Sequence, residues 1–305
     1  MKIKIVIVVV FLAGLNLKVQ AQQDIQYTQY MYNTVAINPA YAGSRGMLSF
    51  NALYRSQWTG LDGAPETINF TGHSPLKMRG VGVGLSLASD KIGPATESLA
   101  AADFSYTIHM SYRTKLSFGL KAGLHSLGID SDRFDPDQQN DPYIYNQDNR
   151  IAPLIGAGIY LHSDAWYVGL SSPDLLETDH YDDVSVSIAR EKMHLYLMGG
   201  YVFDLNPQLK FKPATLVKAV AGAPLAVDLS ANFLFHEKLT LGAAYRIDAA
   251  VSALVGLQVF DWMMIGYAHD RDTSGIGNYN NGSHEVFFRF ELNSRSQGSV
   301  HPRFF

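Results

Sequence analysis

The residues in this chain that could do chemistry are few and poorly grouped. Asp130, Asp132, Asp135, Asp137 and Asp141 form an acidic cluster, and calcium favours such sets of oxygen ligands. The spacing lacks the mid-loop glycine and terminal glutamate of a calcium hand, so the cluster reads as a solvated loop. His269-Asp270 pairs a potential base with a carboxylate. A hydrolase also needs an aligned nucleophile or water, and nothing stands at a readable spacing from this pair. Gly82-x-Gly84 and Gly156-x-Gly158 do not open a βαβ unit, as a dinucleotide site would require. The chain has no cysteine, so it has no thiolate, disulfide or lipid attachment point. The expectation is a non-enzymatic protein with no catalytic residue, no cofactor and no metal.

The elements carrying these residues read as β-strands. Leu116, Phe118, Leu120, Ala122 and Leu124 alternate with Ser117, Gly119, Lys121, Gly123 and His125. Leu229, Ala231 and Phe233 alternate with Asp228, Ser230 and Asn232, and Phe288, Phe290 and Leu292 with Phe287, Arg289 and Glu291. A period of two sends successive side chains to opposite faces. The second face is small or charged, as a crowded lumen would be, and runs of about ten residues suit a tilted membrane crossing. The expected fold is all-β: a closed antiparallel transmembrane barrel of about 14 strands. The predicted strand centres are Phe50, Asn69, Leu85, Phe104, Leu120, Gly158, Val168, Leu197, Phe211, Leu229, Ala243, Val255, Gly266 and Phe288.

The connections sort by parity. Even-to-odd connections are tight, around Arg113, Ser163-Asp164, Asn206-Pro207, His236-Glu237 and Asp261. The long ones, from Asp130, Ser172 and Asp272, are all odd-to-even. Short turns face the periplasm in such barrels, which puts both chain ends there. Tyr112, Trp166, Phe203, Phe260 and Trp262 lie near the short turns, where amphipathic rings form an interfacial girdle. Asp103, Lys121, His125, Asp228, Asn232, Arg246, Gln258, Arg289 and Glu291 are predicted to face the lumen, where they form a salt-bridged interior, line a pore or hold the N-terminal segment.

Composition agrees. Of 305 residues 47% are hydrophobic and 17% charged, with 26 glycines, a balance expected of an all-β protein with many turns. Lys2 and Lys4, an apolar run from Ile5 to Leu15, and Val19-Gln20-Ala21 make a signal peptide over residues 1–21, with cleavage predicted after Ala21. Residues 1–21 carry three lysines and no acid, so the remainder holds 21 bases against 28 acids, a net charge of −7. That excludes nucleic acid as an expected partner.

Between the signal and the first strand lies a polar, aromatic, turn-forming segment, residues 22–45. It includes Gln29, Tyr30 and Asn33, then Asn38-Pro39-Ala40-Tyr41-Ala42-Gly43. Asn-Pro and Gly favour chain reversal, and the tyrosines are too adhesive for a simple linker, so this segment plugs the lumen or docks a partner. The block Arg55-Ser56-Gln57-Trp58-Thr59-Gly60-Leu61-Asp62-Gly63-Ala64-Pro65 follows the first strand. Gly60, Gly63 and Pro65 set a tight outer turn, and Trp58 reads as an amphipathic ring at the membrane edge. Residues 46–294 are the expected barrel and 295–305 a periplasmic tail. Gln29, Tyr30, Asn33, Asn38, Pro39, Tyr41 and Trp58 are the candidate partner-binding residues.

At Gln23–Gly43, at the Arg55 block and at His301-Pro302-Arg303-Phe304-Phe305, the sequence resembles the PorP/SprF family of type IX secretion system membrane proteins of Bacteroidetes. The resemblance implies an outer-membrane barrel seated among outer-membrane lipids. It also implies partners: a periplasmic lipoprotein and ring components, or an exported adhesin-like cargo attached at the surface. The alternative reading is a diffusion porin or hydrophobic-solute transporter, and a weaker third is a barrel hydrolase using His269.

Overall fold

The computed structural model describes residues 26–130, 150–176 and 193–292. Fourteen antiparallel strands close into a barrel. In chain order they are β1 (Leu48–Ser56), β2 (Glu66–Pro75), β3 (Val81–Ile92), β4 (Ala95–His109), β5 (Lys115–Ile129), β6 (Arg150–His162) and β7 (Trp166–Ser172). β8 runs His194–Tyr201 and resumes after a break at Val202 as Phe203–Asn206. Then come β9 (Leu209–Val220), β10 (Ala226–Phe235), β11 (Leu239–Arg246), β12 (Ala250–Phe260), β13 (Met263–Asp272) and β14 (Ser283–Leu292). Each strand pairs with its sequence neighbours, and β14 returns to β1 with Phe290 opposite Phe50. Closure leaves no unpaired edge, the condition for sheet structure in hydrocarbon.

All fourteen expected strand centres fall inside these strands. Alternation is legible in the sequence because each strand separates two different solvents. Leu85, Leu120, Leu229 and Phe288 are exposed on the outer surface. Their neighbours Ser86, Lys121, Ser230 and Arg289 are buried inside. A surface so apolar outside and so charged inside inverts the pattern of a water-soluble protein.

Connections from even to odd strands are short throughout: 76–80, 110–114, 163–165, 207–208, 236–238 and 261–262. The described long connections, 57–65 and 273–282, lie at the opposite end, although the turns at 93–94 and 247–249 there are also tight. Rings gather toward the short-turn end. Trp262 stacks on Phe260 and Phe290 at 5.3 and 6.1 Å. Phe203, Phe211 and Phe233 form a second stacked run at 6.1 and 4.8 Å.

The core lies in the lumen. Residues 26–47 run inside the barrel as a 3-10 turn (Tyr30–Tyr32), a short helix α1 (Thr34–Ile37) and a second 3-10 turn (Pro39–Tyr41). Tyr30, Met31, Val35, Ile37, Ala40 and Tyr41 pack as one buried cluster with wall residues including Leu53, Tyr160, Tyr196, Met198 and Phe287. No helix among the described residues is long and apolar enough to cross a membrane.

Candidate functional site

The site is the contact between this internal segment and the barrel wall. Near the long-loop end, Glu285 accepts hydrogen bonds from the backbone N–H groups of Thr28 and Gln29 at 2.9 and 2.8 Å. Thr28 donates its hydroxyl to Asp270 at 2.6 Å and accepts from Arg55 at 2.8 Å. Arg55 bridges both carboxylates, at 2.7 Å to Asp270 and 3.2 Å to Glu285. Two acids sharing one guanidinium leave surplus negative charge, and the two amide N–H groups of the segment partly meet it.

Halfway down, Asn33 donates to Asn69 and accepts from Thr71, both at 2.6 Å. Tyr32 stacks on Phe287 at 4.8 Å, with the Lys212 ammonium and the Arg289 guanidinium 5.4 and 5.5 Å from its ring centre. Lower still, Asn38 caps the Pro39–Tyr41 turn, accepting from the Ala40 N–H at 3.0 Å and donating to the Ile159 carbonyl at 3.1 Å. Ser171 and Ser105 donate to the carbonyls of Ile37 and Ala42, each at 2.7 Å. Tyr41 meets Tyr160 edge-on at 5.3 Å. At the short-turn end the Gly43 N–H donates to His73, and Arg45 pairs with Glu291.

Glycines make room for this turn. A Cβ on Gly82 would overlap the Ala42 carbonyl, one on Gly119 the backbone of Pro39 and Ala40, and one on Gly158 the Asn38 side chain. These lie on three strands, β3, β5 and β6, so their meeting at one turn is a property of the closed barrel. Phe287 lies over Gly266 in the same way, which lets it reach Tyr32.

The segment therefore descends the lumen from the long-loop end to the short-turn end, and β1 climbs back. The segment's first described residue thus stands at the long-loop end, whereas the sequence reading expected the segment to enter from the short-turn side. The first described residue, Gln26, lines a cavity of about 410 Å³ at the long-loop mouth, together with Arg55, Trp58, Asp248, Asp272 and Ile276. Trp58 likewise differs from a ring at the lipid edge. Its indole N–H donates to Asp272 at 3.4 Å across the mouth, and its backbone holds a φ of 46°. The loop carrying it is tied to its neighbour, with Thr59 N donating to the Gly282 carbonyl and Asn281 N to the Thr59 carbonyl.

Of the other candidate site residues, Gln29, Tyr30, Asn33 and Asn38 are at most 3% exposed, and Pro39 and Tyr41 are also buried. They bind the wall of their own barrel. Asp103 pairs with Lys121 at 2.9 Å and Asp228 with Arg246 at 2.8 Å. Gln258 stands at the short-turn rim, donating to the Phe260 carbonyl. Asp270 of the His269-Asp270 pair is committed to Arg55 and Thr28, while His269 meets the His284 ring at a tilt of 43° on the other face of β13. Asp132 to Asp141 lie outside the described residues, and among the described residues no group of three metal-ligating side chains forms. Sequence reasoning missed the Arg55, Asp270 and Glu285 group. Its only sequence signal was three charges on strand faces that alternate with apolar residues.

No curated protein matches the chain. Solved barrels are similar in fold only. The Ralstonia pickettii toluene transporter TbuX aligns with a TM-score of 0.50 at 10% identity, covering 84% of this chain and 92% of that one. The Acinetobacter baumannii outer membrane protein Omp33 aligns at 0.48 and 9% identity, covering 81% and 99%. The family described as "Type IX secretion system membrane protein PorP/SprF" matches residues 19–290. That match takes in the internal segment as well as the strands that enclose it, and the chain belongs to this family of outer-membrane β-barrels.

Proposed function

We propose that this barrel acts in type IX secretion as a non-enzymatic docking component and not as a conduit for solutes. It holds either the periplasmic machinery or an exported adhesin-like cargo for surface attachment, and residues 26–45 are its plug. The observation that carries this reading is the filled lumen. A diffusion porin needs a continuous water path, whereas here buried aromatic and apolar side chains of the segment pack against opposite walls. A solute transporter needs a vacant binding chamber on its path, and the space between Tyr32 and Phe287 is closed by a ring stack.

The short turns are assigned to the periplasm on the general behaviour of such barrels. The long-loop end then faces outward. There, loop 57–65 is fixed by hydrogen bonds to Gly282 and Asn281 on one side and through Gly63 to Gly93 on the other. A shelf ordered before contact saves the entropy that a mobile loop would lose on binding.

The test is a pull-down from native outer membranes with an affinity tag after Phe305. Recovery of a periplasmic ring lipoprotein or a large exported surface protein is the expected result. A barrel that purifies alone and conducts ions in planar bilayers would overturn the reading in favour of a porin.

A further inference from the structure

We propose that the cavity at the long-loop mouth receives an arginine side chain, presented by a polypeptide that lies along loop 57–65. The inference rests on the docking function proposed for this barrel and gives it a ligand chemistry. At about 410 Å³ the cavity falls within the roughly 300–1,000 Å³ of small-ligand sites.

Three observations carry it. The first is charge. The cavity and its ion pairs hold five carboxylates, on Asp228, Asp248, Asp270, Asp272 and Glu285, against the guanidiniums of Arg55 and Arg246. Arg55 is shared by Asp270 and Glu285, and Arg246 is taken by Asp228, while Asp248 and Asp272 form no ion pair among the described residues. Two carboxylate oxygens here are buried with no hydrogen-bond partner: Oδ2 of Asp272, and Oδ1 of Asp270, whose side chain is only 3% exposed. A buried acceptor without a donor is costly, and a cation bearing N–H groups removes that cost.

The second is shape. Among the described residues no three metal-ligating side chains converge, so the negative charge is spread along the cavity and not gathered around a point. That suits a planar, forked cation better than a metal ion or an ammonium group. Trp58 lines the same cavity, its indole N–H donating to Asp272 Oδ1 at 3.4 Å while Oδ2 stays free. The fold holds this bulky residue at a φ of 46°, a strained conformation that keeps the ring at the mouth. An aromatic ring beside an unpaired carboxylate lets a guanidinium stack and donate at once.

The third is continuity with the shelf. Gln57 lines both this cavity and a second, of about 400 Å³, along loop 57–65 with Thr59, Leu61 and Gly93. Backbone hydrogen bonds fix that loop to Gly282 and Gly93. A free small cation would fill the mouth and leave the second cavity empty. A polypeptide on the shelf occupies the second cavity with its backbone and the first with one arginine.

The test uses the full-length barrel in lipid nanodiscs with Trp166→Phe and Trp262→Phe, which leaves Trp58 as the sole tryptophan. Its emission is followed as acetyl-Gly-Gly-Arg-Gly-Gly-amide is added. The same peptide with citrulline, an uncharged isostere, in place of arginine and then acetyl-arginine-amide follow. The expected result is a saturable change with the arginine peptide. Both other probes should bind about tenfold more weakly or worse, the effect of losing one charge-assisted hydrogen bond or the shelf contacts. Equal binding of the arginine and citrulline peptides, or no saturable change with either, would overturn the proposal. Acetyl-arginine-amide binding as tightly as the peptide would remove the polypeptide from it. In a barrel carrying Asp248→Asn and Asp272→Asn that still migrates as folded on heat-modifiable gels, the arginine peptide should lose about tenfold in affinity or more. Unchanged affinity there would sink the assignment to this cavity. Peptide binding is read without any secretion partner, so its failure and failure of the pull-down are separate results.

Discussion

At the scale of single residues, the fit between segment and wall turns on absent atoms. Gly119 faces the Pro39-Ala40 backbone so closely that one methyl group has no room. Gly275, in the outer loop, has nothing within 4 Å of where a methyl group would stand, and so provides the control. Gly119→Ala should loosen or expel the Pro39–Tyr41 turn, at a cost of about 1–3 kcal/mol, typical of overpacking. Gly275→Ala should change little. The measurement is ion conductance in planar bilayers with heat-modifiable gel migration alongside: Gly119→Ala should raise conductance while the barrel still migrates as folded. Equal silence from both variants would mean that the turn tolerates displacement. Arg55 is the second test. Removing it strands Asp270 and Glu285 with uncompensated charge, and breaking a buried pair in this way costs about 3–5 kcal/mol. Arg55→Met should therefore lower the urea midpoint of the folded barrel. Adding Asp270→Asn and Glu285→Gln should recover much of the loss, because the surplus charge is then gone.

At the scale of elements, the strands and the internal segment were legible to different degrees. Each strand carries its own signal, because lipid lies on one face and lumen on the other. Leu116 to His125 shows the alternation within ten residues, and no distant contact is needed to read it. The break of β8 at Val202 was not legible: Val202 packs against the internal cluster and donates its N–H to the Ala165 carbonyl, and both relations form only across the fold. The segment was legible as aromatic and turn-forming, but its direction was not. Which wall Thr28 meets depends on β13, β14 and β1 coming together at barrel closure, between residues more than 200 positions apart. The same holds for Gly82, Gly119 and Gly158, readable as small lumen-facing residues but not as one cradle. If the segment is a plug held by these contacts, deleting residues 26–45 should leave a barrel that still closes through β1 and β14 and now conducts. A deleted barrel that folds but remains as resistive as the intact protein would show that the strands and loops occlude the lumen without it.

At the scale of the whole molecule, the membrane position is set by where the rings meet the interface, and the three tryptophans report on it. Trp262 lies in a short turn and stacks on Phe260 and Phe290 along the outer surface. Trp166 begins β7 at the same end. Trp58 is at the opposite end and turned inward, its indole bound to Asp272 over the mouth cavity. Amphipathic rings at a membrane interface sit at headgroup depth. Lipids brominated near the headgroup should therefore quench Trp166 and Trp262 strongly in single-tryptophan variants and Trp58 weakly. Lipids brominated near the chain ends, at the bilayer centre, should quench none of them well. Strong quenching of Trp58 would place it back at the lipid edge and detach it from the mouth. A charge placed on the outer face reads the same geometry from the apolar side. Leu120 is 61% exposed midway along β5, so Leu120→Arg should destabilise the barrel by about 2–4 kcal/mol in bilayers, the cost of arginine at the midplane. In the short turn Arg113 already carries that charge, and Arg113→Leu should shift stability by less than about 1 kcal/mol, as expected near the interface. A comparable loss at both positions would mean that the hydrocarbon band does not lie between the turns and the mouth.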